Sequence, residues 1–209
     1  GTAPIFFQGL DKKNGVQSRL KISPDNKMLA TSNSEKLVIY DLTKGNEGNV
    51  LLSVGIDPSN SQRTQAAFDV SADWKTFFFN MQLINVSKDA AGKLKYDFGR
   101  IIKWEKVLTS LSLMSSDGKK VVLTDRNGSE QRVYDLSSGE VITRNSNLKT
   151  YALAANKEFT KIYMNQLIWD IKSQKVQSLN TRDNAGKNDK AHISVATENG
   201  DLVIGLYRF

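Results

Sequence analysis

Histidine occurs once, at His192, and cysteine does not occur. A Cys–His pair is therefore excluded, and a zinc site built from several Cys or His ligands lacks its donors. A Ser-His-Asp triad would have to use His192, and no Gly-x-Ser-x-Gly elbow accompanies it. His192 reads as an ordinary strand-edge residue. No Gly-rich phosphate loop of the Walker type occurs. Asp125-Arg126-Asn127-Gly128 begins like a calcium loop, but the later ligands do not follow, so it reads as a hairpin turn. Asp69, Asp73 and Asp201 are the acids left for a divalent cation. Nothing in the sequence brings them together. No catalytic residue, metal or cofactor is assigned, and the chain is expected to be non-catalytic.

Binding is the other chemistry on offer. Interface energy concentrates in aromatic and arginine anchors, which can each contribute about 2 kcal/mol or more. Gly99-Arg100-Ile101-Ile102-Lys103-Trp104-Glu105-Lys106 combines an indole, two isoleucines and three cations. Arg100, Ile101, Lys103 and Trp104 are the candidate partner-binding residues there, on a connection from one group of strands to the next. The competing reading extends a fourth strand and packs Ile102 and Trp104 between the two groups. Trp74 is the other candidate. It stands at a tight-turn position filled by Asn26 and Gly118 in related segments, and an exposed indole there gains little unless something covers it; the competing reading packs it against a neighbouring loop.

The elements that position these residues come from a repeat. A short β run, then Ser-x-Asp or a relative, then a second β run recurs along the chain. Leu20 to Ala30, Phe68 to Phe78 and Leu111 to Val122 are clear copies, and Tyr151 to Lys157 and Ile193 to Gly200 are weaker ones. Taking Asp25, Asp73, Asp117, Asn156 and Glu198 as equivalent gives spacings of 48, 44, 39 and 42 residues. That is the period of a propeller blade. Asp, Asn and Gly close tight turns, and the flanking Val, Ile, Leu, Phe and Tyr suit a packed sheet.

A second feature follows in phase. Tyr40-Asp41, Tyr134-Asp135 and Trp169-Asp170 each end a β run and lead into polar turn residues. The second copy lacks the pair, and Leu83-Ile84-Asn85-Val86-Ser87 stands in its place. These pairs and their spacing resemble the third strand of WD-type repeats. The Ser-Pro-Asp turn is equally similar to those of YncE-like and TolB-like bacterial propellers. The Gly-His pair of many WD repeats does not occur. The resemblance implies an all-β propeller or partial propeller of about five four-stranded blades, spanning residues 1–209 as one domain or as a piece of a longer propeller. It also implies a scaffold that binds another protein or a peptide within a larger assembly. The alternative is a bacterial periplasmic or surface propeller module, either an assembly component or a metal-dependent, lactonase-like enzyme.

Composition is consistent with this. Hydrophobic residues are 39% of the chain and charged residues 24%, enough apolar material for a core. No apolar stretch approaches the roughly 20 residues of a membrane helix. The net charge is +7, but the cations are scattered among acids, so nucleic acid ranks third as a partner. A chain without cysteine fits the cytoplasm, and a bacterial periplasm or cell surface fits as an alternative. The fifth copy supplies little beyond a second strand. Residues 4–9 are expected to help close the ring, and an open ring would leave β edges available for assembly.

Overall fold

The computed structural model describes residues 20–33, 35–44, 49–60, 68–105, 108–146, 148, 150–164, 167–178, 190–194 and 203–207. These residues form strands and turns only. Four antiparallel sheets of four strands each follow one another along the chain, arranged as a β-propeller. The first blade holds β1 (Leu20–Ile22), β2 (Met28–Ser32), β3 (Lys36–Asp41) and β4 (Asn49–Gly55). The second holds β5 (Phe68–Val70), β6 (Thr76–Phe79), β7 (Gln82–Lys88) and β8 (Leu94–Ile101). The third holds β9 (Leu108–Met114), β10 (Lys120–Asp125), β11 (Glu130–Asp135) and β12 (Val141–Ser146). The fourth holds β13 (Ala152–Ala155), β14 (Lys161–Met164), β15 (Leu167–Asp170) and β16 (Val176–Ser178).

The expected count of five four-stranded blades is corrected to four. The fifth copy contributes one hairpin, β17 (Lys190–Ser194) against β18 (Val203–Tyr207), and no third or fourth strand joins it among the described residues. Residues 4–9, the loop residues 45–48, 61 and 180–189, and Asp201 lie outside the described residues.

Both faces of the second strand of each blade are buried, which explains the unbroken apolar runs. In Thr76-Phe77-Phe78-Phe79, successive side chains point to opposite faces of the sheet. Phe77 and Phe79 pack with Ala30, Leu37, Ile39 and Val54 of the first blade. Phe78 packs with Val121, Leu123 and Tyr134 of the third. Val122 and Val133 then face Ile162, Met164 and Trp169 of the fourth. The core is thus a series of layers between blades, with a separate cluster of Leu29, Val38 and Tyr40 on the far face of the first blade.

The Ser-x-Asp turn recurs with one set of hydrogen bonds. Ser23 Oγ donates to Asp25 Oδ1 at 2.7 Å, and Met28 N–H donates to Ser23 Oγ at 2.8 Å. Ser71 with Asp73 and Thr76, and Ser115 with Asp117 and Lys120, repeat it. In the fourth blade Lys161 N–H donates to Asn156 Oδ1 at 2.8 Å, so Asn156 occupies the serine position. The expected equivalence of Asn156 with Asp25 is therefore shifted by two residues. Glu158 takes the Asp25 position, and Asn156 Nδ2 donates to it. The spacings become 48, 44 and 41 residues, more regular than the unshifted series.

Candidate functional site

The residue after each turn acid has a positive φ: 57° at Asn26, 59° at Trp74, 69° at Gly118 and 54° at Phe159. Asn and Gly enter this region readily, whereas a bulky residue needs compensation. Trp74 and Phe159 find it in burial, at 8% and 4% exposure. The Trp74 ring meets Phe77 edge-on at 5.6 Å, between the first and second blades. The ring is therefore packed rather than exposed, and what it packs against is the apolar layer between the first and second blades rather than a loop.

Trp104 is buried as well, at 3% exposure, between the second and third blades. Gly99, Arg100 and Ile101 belong to β8 rather than to a connection between blades, as the competing reading of a fourth-strand extension expects. Ile102 N–H donates to Met81 O at 2.7 Å and carries the chain inward, so Ile102 and Trp104 pack and Lys103 between them stays exposed. Arg100 is exposed and Ile101 is half-buried. The structure brings Arg100, Ile101, Lys103 and Trp104 to one edge of the second blade. It places Trp74 in a different layer.

The Trp104 ring carries a cation on its face. The Arg132 guanidinium lies 4.7 Å from its centroid, and Arg132 Nε donates to Glu130 Oε1 at 2.6 Å. Tyr134 tilts against the same indole at 6.3 Å. Burial raises the Tyr134 phenol above its ordinary pKa, and the neighbouring guanidinium opposes that rise.

Each aromatic-Asp pair divides its work. Tyr40, Tyr134 and Trp169 are buried wedges at 0%, 2% and 0% exposure. The aspartates cap the following turns. Asp41 Oδ1 accepts from the N–H and hydroxyl of Thr43, Asp135 Oδ1 from those of Ser137, and Asp170 Oδ1 from those of Ser173. In the second blade, which lacks the pair, the outer hairpin is longer, and Asp89 Oδ1 accepts from Ala91 and Lys93 N–H.

The acids considered for a cation are engaged elsewhere. Asp69 accepts from Lys21 Nζ at 2.8 Å and from Met114 N–H at 2.9 Å. Asp73 belongs to its turn with Ser71. Among the described residues no group of three or more His, Asp or Glu side chains could hold a metal ion. Asp125 accepts from Ser129 and Glu130 N–H, as a hairpin turn requires. His192 lies in β17, opposite Gly205. No described helix is long and apolar enough to cross a membrane.

An open pocket of about 440 Å³ lies along β12, lined by Arg132, Val141, Ile142, Thr143, Arg144 and Gln174. Sequence reasoning missed it. Its signal is a matter of register: Arg132 and Arg144 lie directly opposite each other on β11 and β12, although twelve positions separate them in the chain.

Fold and site together define a propeller-class protein with four complete blades among the described residues. No protein-family model matches the chain, and no curated protein matches it.

Proposed function

We propose that this chain is a non-catalytic scaffold that binds another protein or a peptide within a larger assembly. One observation carries the reading: the carboxylates of the repeat are consumed by structure. Asp25, Asp73 and Asp117 hold the first turn of their blades, Asp41, Asp135 and Asp170 hold the third, and Asp69 joins three blades. The surface left for recognition consists of outer strands and turns, where cations and aliphatic side chains lie together. The likeness to WD-type blades belongs to the same reading, because the three aromatic-Asp pairs take equivalent places in three blades. A cytoplasmic setting suits a chain without cysteine, and a bacterial periplasm or cell surface is the competing one.

Affinity purification of the full native protein from its source, with mass spectrometry of bait and partners, tests the proposal. A stoichiometric protein partner is the expected result. Recovery of the intact bait without any partner would overturn it.

A further inference from the structure

The outermost strand of the third blade carries a feature that the repeat does not require. β12 is the edge strand of its sheet, so one side of its backbone has no strand partner among the described residues. Val141 and Ile142 are adjacent on it and are 43% and 46% exposed. Arg132 and Arg144, opposite each other in register, line the same pocket. Arg132 is held in place by Glu130 and by the Trp104 ring beneath it. Arg144 is exposed, and none of the described ion pairs includes it. Arg100 adds a cation nearby, its aliphatic stem lying across Gly139 just before β12.

Resting on the scaffold reading, we infer that β12 is a docking edge for an extended peptide that carries apolar and acidic side chains together on one face. The peptide would add a strand to the open edge, a mode in which main-chain hydrogen bonds give affinity and side-chain pockets give specificity. Its apolar side chain would cover Val141, which stands opposite Tyr134 on the same face of the sheet as the Arg132–Arg144 pair. Its carboxylates would meet Arg144 and the outward side of Arg132, the residue type suited to two-point recognition of carboxylate. Single-stranded nucleic acid fits less well, because its bases stack on aromatic rings and the pocket lining contains none.

The test measures fluorescence anisotropy of a labelled hexapeptide with one valine and two glutamates at alternate positions and serine between them, titrated with the full chain. A peptide with lysine for glutamate and a labelled oligothymidylate serve as comparisons. Tightest binding by the glutamate peptide is expected, with the lysine peptide at least about tenfold weaker. Arg144→Glu and Val141→Asp, both at exposed positions, should each weaken the glutamate peptide by about tenfold while the melting temperature holds. No binding of the glutamate peptide, equal binding of both peptides, insensitivity to Arg144→Glu, or tighter binding of oligothymidylate would overturn the inference. Failure here is separable from failure of the scaffold reading. A native partner captured equally by the wild-type chain and by Arg144→Glu removes the β12 edge and leaves the scaffold.

Discussion

Lys21 on the first strand of one blade reaches Asp69 on the first strand of the next, Nζ to Oδ1, at 2.8 Å. The other carboxylate oxygen of Asp69 accepts from Met114 N–H in the third blade, and the Asp69 side chain itself is almost fully buried. One side chain thus links three consecutive blades at their innermost strands. The Lys21 side chain is 37% exposed, so the ion pair alone is worth little, about 1 kcal/mol or less. The buried Met114 amide is the larger stake, because losing its acceptor costs about 1–3 kcal/mol. Asp69→Ala should therefore destabilise the chain more than Lys21→Met does. Urea unfolding of both variants checks this. Equal losses would mean that the ion pair, not the amide, holds the blades.

Acid should weaken the same fold through its turns. Asp25, Asp41, Asp57, Asp73, Asp117, Asp135 and Asp170 all have carboxyls held below the usual aspartate range. The leading causes are the hydroxyls of Ser23, Thr43, Ser71, Ser115 and Ser137, the Gln82 amide for Asp57, and the Ser173 N–H for Asp170. A carboxyl with a lower pKa folded than unfolded stabilises the fold above its unfolded value, about 3.9. That contribution is lost as pH falls through the folded value. Stability should be level at mildly acid pH and decline progressively below about pH 4. Replacing Ser23, Ser71 and Ser115 together by Ala should flatten the decline. Urea midpoints that do not change across this range would refute the account.

The repeat was readable because its turns use side chains that can do little else there. Ser followed two residues later by Asp closes one set of hydrogen bonds in three blades, and the sequence shows both partners. Asn156 was harder. Its amide oxygen accepts from Lys161 N–H as a serine hydroxyl does, yet by residue type it resembles the aspartate two places later, so the register slipped. Trp74 was harder still. Residue type and turn position leave exposure and packing both open, and only the fold brings the first blade against the ring. The β12 pocket depends on which residues stand opposite across β11 and β12, a relation that local pattern does not carry.

Burial of all three tryptophans gives a direct optical prediction. Trp74, Trp104 and Trp169 are 8%, 3% and 0% exposed, and the chain contains no others. Native fluorescence should be blue-shifted and almost insensitive to iodide, and unfolding should red-shift it. Strong iodide quenching of the folded chain would show that at least one indole faces solvent. The same burial decides what Trp104→Ala should do. Truncating a buried aromatic costs about 3–5 kcal/mol, so the melting temperature should fall sharply. An unchanged melting temperature would remove Trp104 from the layer between blades.

Two glycines separate backbone strain from crowding. Gly92 and Gly128 both have positive φ, at 79° and 68°. A Cβ at Gly92 would meet nothing within 4 Å. One at Gly128 would come within 2.8 Å of Thr150 O and 3.0 Å of Thr150 N, backbone atoms that cannot swing aside as a side chain can. Thr150 N–H also donates to Gly128 O, which joins this turn of the third blade to the entry of the fourth. Gly92→Ala should therefore cost only the left-handed penalty, about 1 kcal/mol. Gly128→Ala carries that penalty and must also displace the Thr150 backbone, so its loss should be clearly larger. Thermal unfolding of the two variants side by side reads the difference, and equal shifts would mean that the Gly128–Thr150 approach is not as close as described.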